Sequence, residues 1–248
     1  MCLAKSSQKP IQNNSYSTVG TRRLPSLIVS DGAIEAVKWL ALVLMTLDHV
    51  NKYLFAEKLP FIFECGRLTM PLFAFALAYN MARPGTMEKG GYIRTMKRMM
   101  LSGLLATPAF IGLGGLIAGW WPLNIMFALL IMTATTYLLD RGTINSYIIA
   151  ILVFIIGGSS VEFWWPGITI GIAAWSYCKK PNLSSIIILI AALTAMRIIN
   201  GNYWALAALP VALSACFVSL NVPRLKMIFY IYYPLHLSVL WIAKAVTN

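Results

Sequence analysis

Charge is what this chain has least of. Only 11% of its 248 residues are charged and eight are acidic, where soluble domains carry about a quarter. With 59% hydrophobic residues, a single soluble domain has no way to cover so much apolar surface, and a lipid-embedded chain is expected. The apolar stretches also lack the period-two alternation of barrel strands, which argues against a β-barrel. A helical bundle remains, because lipid forces every backbone polar group to find its partner within the chain. Histidine is scarce, with two copies, and the four cysteines (Cys2, Cys65, Cys178, Cys216) show neither a CxxC pair nor metal-ligand spacing. No metal site is therefore expected. Cys2 follows no apolar segment and is not expected to carry a lipoprotein anchor. The net charge of +12 comes without any recognition motif, so no nucleic-acid partner is expected.

What is present is a polar start followed by apolar runs. Residues 1–33, rich in Ser, Asn, Gln and Thr, read as a mobile cytoplasmic tail, with Asp31 placed to cap the first helix. Arg22-Arg23 faintly resembles a twin-arginine signal, but no small-residue cleavage site follows, so it reads as part of an inside-anchoring tail. Residues 34–248 read as one integral membrane unit. Its apolar segments run approximately 34–55, 68–82, 99–119, 123–139, 144–157, 164–178, 183–199, 203–220 and 226–243, an all-α polytopic bundle of about nine transmembrane helices. Basic residues fall in alternate connections: Arg83, Lys89, Arg94, Lys97 and Arg98, then Arg141, then Lys179 and Lys180, then Arg224 and Lys226. That pattern places the N-terminus in the cytoplasm and the C-terminus in the periplasm. The first loop, with Lys52, Lys58 and Arg67, is the exception.

Against this background, ionisable residues inside apolar runs stand out. Asp48 and His49 lie in IEAVKWLALVLMTLDHVNKYLF (34–55), and His236 in MIFYIYYPLHLSVLWIA (227–243). Such groups cost several kcal/mol in hydrocarbon unless they are paired or face a wet cavity, which makes each a functional-site candidate. At 1.5 Å per residue, Asp48 sits about 21 Å along the first helix and His236 about 15 Å beyond Lys226. Histidine suits acid–base work near neutral pH, and a carboxylate can set its tautomer. Adjacent helical residues point about 100° apart, so the expected unit is a histidine with a carboxylate from another helix. Local pairing is the plain alternative: Asp48 with Lys52 at i,i+4, and Glu64 with Arg67 at i,i+3. Glu64 and Glu162 read as ordinary residues of this kind. In YIRTMKRMM, Arg94, Lys97 and Arg98 are expected to share one helical face near Arg83 and Lys89. Such a cluster can hold phosphates, although from spacing alone orientation and anionic lipid are the favoured reading. The near-copies GWWPLNI (119–125) and FWWPGIT (163–169) read as interfacial tryptophans.

In this order, TLDHVNKYLF, GRLTMPLFAFALAYNMAR and MIFYIYYPLHLSVLWIA resemble the TraX family, membrane acetylases of F-type conjugative plasmids, from about residue 36 to the end. RLTMPLFAF is also similar to wider membrane acyltransferases that use acyl-CoA. The resemblance implies a multi-pass protein of the bacterial inner membrane that moves an acetyl group from acetyl-CoA to the N-terminal amine of mature pilin. It carries Asp48, His49, Arg67, Pro71, Tyr233, Pro234 and His236. On physical grounds His236 or His49 would take the amine proton, with Asp48 nearby. Tyr233 or Arg67 would stabilise the oxyanion, and Arg83, Arg94, Lys97 and Arg98 would meet the CoA phosphates. From the residues alone, a proton-coupled transporter and a non-enzymatic pilus-assembly protein stay open.

Overall fold

The computed structural model describes residues 24–247. Among them the architecture is all-helical, with eleven α-helices and one 3-10 turn. The first half holds α1 (Asp31–Leu54), α2 (Pro60–Gly66), α3 (Thr69–Ala82), α4 (Gly91–Gly112) and α5 (Ile125–Arg141). The second half holds α6 (Ile144–Ser160), α7 (Trp164–Lys179), α8 (Leu183–Ala195), α9 (Arg197–Asn200), the 3-10 turn (Trp204–Ala207), α10 (Ala208–Ser214) and α11 (Ile228–Thr247). The nine expected apolar runs are thus recognisable, but two are broken into pieces. The run at 183–199 divides into α8 and α9, and the run at 203–220 into the 3-10 turn and α10. Two stretches, Pro60–Ala82 and Leu183–Asn200, are long and apolar enough to cross a membrane. Helices α1, α4 and α11 match a span in length but carry ionisable residues.

The start of α1 departs from expectation. Ser30, rather than Asp31, is its cap, and the Ser30 side chain accepts the Ala33 N–H at 3.2 Å. Asp31 instead sits in the first turn, where its charge complements the helix dipole, and meets Arg83 at 2.5 Å. Residues 1–23, with Lys5, Lys9, Arg22 and Arg23, lie outside the described residues. The described remainder of the expected tail is fastened rather than loose. The Tyr79 hydroxyl accepts the Val29 N–H and donates to the Val29 carbonyl, each at 3.0 Å. Tyr177 donates to the Pro25 carbonyl at 2.7 Å.

Helices α1, α3, α4, α5, α7 and α11 enclose the core, with α3 packed between α1 and α7 and α11 packed on α4 and α1. Outward-facing positions carry large aliphatic side chains: Ile148, Ile151 and Ile155 on α6, Ile187 and Ile190 on α8, Ile231 and Leu235 on α11. Inward positions on α6 and α8 are small, including Ala150, Ser185 and Ala192. Close helix approach through small residues with bulky residues outside is the inverse of a soluble helix. An exterior this apolar calls for an apolar surrounding.

Candidate functional site: a histidine pair behind a basic cavity

The two histidines of the chain meet. His49 of α1 and His236 of α11 lie with Nδ1 of His49 2.8 Å from Nε2 of His236, their rings nearly coplanar at 2°. The expected carboxylate partner is thus replaced by a second imidazole. The hydrogen bonds assign both tautomers. Nδ1 of His236 lies 3.1 Å from the Tyr232 carbonyl, which can only accept, so that nitrogen carries a proton. Its Nε2 is then an acceptor, and Nδ1 of His49 donates to it. Nε2 of His49 is left with a lone pair. His236 is 6% exposed, and the Tyr232 ring stacks on it at 5.2 Å. Tyr232 is fixed in turn, because its hydroxyl lies 2.8 Å from Thr46 Oγ1 and Thr46 donates to the Leu42 carbonyl. Tyr233 tilts against His236 with ring centroids 5.4 Å apart. Pro234, lacking an N–H, frees the Tyr230 carbonyl from the helix ladder, and Ser102 of α4 donates to it at 2.7 Å.

Next to the pair is one ion pair. Arg67 Nη2 reaches both oxygens of Asp48 at 2.8 Å, and both side chains are mostly buried. Neither local pairing expected from spacing forms: Asp48 takes Arg67 rather than Lys52, and Arg67 takes Asp48 rather than Glu64. Arg67 is also held by a bond from Nε to the Phe63 carbonyl at 3.1 Å and packs over the Phe63 ring. Lys52 instead lies over the Tyr53 ring at 5.2 Å. Gly66 makes the approach possible, since a Cβ there would sit 2.5 Å from Asp48 Cγ.

Glu162 joins this group, although its sequence gave no sign of it. It lies in the connection between α6 and α7, which is stitched to the start of α5. Leu123 N–H donates to the Ser160 carbonyl and Glu162 N–H to the Leu123 carbonyl, each at 2.8 Å. The half-buried Glu162 side chain accepts the Ile125 N–H and faces Lys52, Arg67 and Asp48 and the rings of Tyr53 and Tyr233. Burial pushes its carboxyl up to about 7, against the pull of Lys52, the Ile125 N–H and Arg67. The two Trp-Trp-Pro stretches therefore flank this stitch. Trp121 donates its indole N–H to the Ser159 carbonyl, while Trp120 and Trp165 are exposed.

On the other side of the histidines a cavity of about 470 Å³ opens toward the opposite end of the bundle. Seven basic side chains line it (Lys38, Arg83, Lys89, Arg94, Arg98, Arg224 and Lys226) and, among the described residues, no acidic one. Its walls narrow to apolar residues such as Leu42, Met45, Phe73, Met126 and Leu129, and it reaches Ile125 and Tyr233. Neither histidine lines it, but Met45, one helical turn before His49, and Tyr233, which packs on His236, do. Of the four expected phosphate contacts, Arg83, Arg94 and Arg98 line this cavity. Lys97 does not. It lines a shallow apolar face with Ile93, Met96 and Met100. Helical geometry explains the correction: 94 and 98 lie about 40° apart, whereas 97 is about 100° from 98.

A family model described as "TraX protein" matches residues 33–244. The chain belongs to the TraX family. Two relatives, each named "Protein TraX", come from Escherichia coli and its strain K12. They are 34% identical over 104 residues and 32% identical over 108 residues, which are 41% and 42% of this chain. The aligned parts are 38% and 40% of those proteins, well under two thirds of their length. No solved structure matches the chain.

In this TraX-family chain the geometry brings together Asp48, His49, Arg67, Tyr233 and His236, five residues from three parts of the sequence. Chemically the arrangement offers one unprotonated imidazole nitrogen, a buried phenol on a backbone N–H, and a carboxylate beside them. Through Tyr233 it adjoins a cavity lined by seven basic side chains.

Proposed function

We propose that this chain is a multi-pass membrane N-acetyltransferase that moves an acetyl group from acetyl-CoA to the N-terminal amine of a conjugative pilin. The observation that carries this reading is the hydrogen-bonded His49–His236 pair directly behind the Tyr233 wall of the basic cavity. The cavity suits a donor with a polyanionic head and an apolar arm. Phosphates would meet Arg83, Arg94 and Arg98 at the rim, and the arm would follow Leu42, Met45 and Met126 inward. From Lys38 at the rim to His49 is eleven residues of α1, about 16 Å, the reach that arm needs.

The proton inventory follows from the tautomers. As the amine attacks the thioester carbonyl, its proton passes to Nε2 of His49, the one ring nitrogen of the pair with a lone pair. The imidazolium keeps its Nδ1–H on His236, whose own Nδ1–H is pinned to the Tyr232 carbonyl, so the base is oriented without a carboxylate. The Tyr233 hydroxyl lies near the Ile125 N–H, and its own proton can be turned to stabilise the developing oxyanion. Arg67 is committed to Asp48 and acts by holding α1 in place, not by touching the substrate.

The apolar exterior supports a lipid setting, and the basic end belongs in the cytoplasm by the distribution of Lys and Arg. The N-terminus would then be cytoplasmic and the C-terminus periplasmic. The first loop, with Lys52, Lys58 and Arg67, stays the exception to this distribution. On a background without native cysteines, Lys58→Cys should react with an impermeant thiol reagent from the periplasm and Lys89→Cys should not; the reverse pattern would invert the topology.

Acetyl transfer is tested by the mass of the pilin N-terminus in cells with and without this protein. An acetyl group that appears only with the protein is the expected result. An unmodified amine in both, together with no binding of acetyl-CoA by the purified chain, would leave a transporter or assembly protein instead.

A further inference from the structure

Two carboxylates lie beside the histidine pair, and they differ. Asp48 is saturated by Arg67. Glu162, among the described residues, forms no ion pair within 4 Å, although Lys52 and Arg67 are within electrostatic reach. Its place is set by backbone instead. The Leu123 stitch holds Ser160 and the N–H of Glu162 itself, and Phe163 and Trp164 follow with φ of 62° and 44°. Non-glycine residues in that region cost roughly 1–3 kcal/mol each and persist where the surroundings fix them. A partly buried carboxylate is thus held near Tyr53, which lies against His49, and Tyr233, which lies against His236, with its charge still available to a cation. The Ile125 N–H lies near both Glu162 and the Tyr233 hydroxyl.

We propose that Glu162 is the binding site for the acceptor's primary ammonium and takes the first of the two protons that the amine must lose. This rests on the acetyltransferase reading. An ammonium has no lone pair and cannot attack. It first gives one proton to the Glu162 carboxylate. The neutral nitrogen then forms a bond to the thioester carbon, and its second proton passes to Nε2 of His49. Collapse breaks the carbon–sulfur bond, and the departing thiolate takes the proton back from His49. The histidine ends neutral, and Glu162 keeps one proton, which it releases to solvent for each acetyl transferred. A terminal amine has a pKa near 8, so at neutral pH most acceptor arrives charged. The groups facing Glu162 are Lys52, Tyr53 and Asp48 of α1, Arg67, Tyr233 of α11 and the Ile125 N–H of α5. With a carboxyl near 7 it is charged enough to bind an ammonium and basic enough to deprotonate it.

The test uses the full chain in proteoliposomes, acetyl-CoA, and a pilin N-terminal peptide in free-amine and pre-acetylated forms. In E162Q the KM for the free-amine peptide should rise at least tenfold at pH 7, while the Kd for acetyl-CoA stays within twofold of wild type. The defect should shrink at pH 9, where the amine is already neutral. Wild type should bind the free-amine peptide at least tenfold tighter than the acetylated one, E162Q should bind both alike, and E162D should recover part of the preference. A defect that is independent of pH, or that weakens acetyl-CoA binding equally, overturns the proposal in favour of a structural role. Unchanged peptide KM in E162Q overturns it alone. Wild type that fails to bind acetyl-CoA overturns it together with the acetyltransferase reading, and only that outcome reaches the reading itself.

Discussion

The two ends of the bundle treat charge in opposite ways. At the basic end seven cations face one cavity, and the nearby carboxylates are tied up at its rim: Asp31 on Arg83, Glu35 on Lys38 at 2.7 Å and 3.9 Å from Arg224. Positive charge is left in surplus there, and an anion entering the cavity relieves the repulsion. At the other end charge is largely matched. Asp48 and Arg67 neutralise each other in a mostly buried setting, Glu162 is left, among the described residues, without an ion pair within 4 Å, and the groups between are imidazoles. One end gathers charge of a single sign; the other sets neutral rings beside one matched pair and one unpaired carboxylate. The histidine pair lies at the boundary between the two.

That comparison can be broken first at the boundary. His49→Ala should lower single-turnover acetyl transfer by about a hundred- to ten-thousand-fold, with acetyl-CoA binding retained. His236→Gln should cost less, because it removes the orienting group and leaves the base. Equal losses, both accompanied by weak donor binding, would make the pair structural.

At the matched end, Arg67→Ala strands a carboxylate in a largely buried site and should destabilise the chain by about 3–5 kcal/mol, read as unfolding in mixed detergent micelles. Adding Asp48→Asn should restore most of it, since the two effects share one interaction. Independent, additive losses would show that the two charges do not hold each other.

At the surplus end the effects are smaller. Arg94→Gln and Arg98→Gln should each raise the KM for acetyl-CoA roughly tenfold, with kcat little changed, because contacts remote from the thioester act on ground and transition state alike. Lys97→Gln, one residue away but on the other face, should change KM by less than about twofold. If Lys97 matters as much as Arg98, then net charge and not the cavity is what counts.

Much of the fold was legible in the sequence, and the partner choices were not. Continuous apolar runs located the helices, because their period and length depend only on local sequence. The breaks at Met196 and at the 3-10 turn left no such mark. Spacing offered Asp48 a Lys52 and Arg67 a Glu64, each as good on paper as the pair that forms, and only the close approach at Gly66 decides between them. Lys97 was misread, though the 100° step of a helix was enough to separate it from Arg98. Glu162 was passed over because its meaning comes from a stitch between two loops far apart in the chain. The repeated Trp-Trp-Pro flanking that stitch was the one available signal, and it was read only as interfacial tryptophan.

Pro234 carries a mechanical consequence. Because it surrenders the rung to Tyr230, the Tyr230 carbonyl is pinned by Ser102 of the neighbouring α4 instead. The Tyr230 side chain lines the cavity, with Arg98 over its ring, and His236 lies six residues further along. The cavity wall and the imidazole are therefore carried on one helix, and the neighbouring α4 grips that helix at the wall itself.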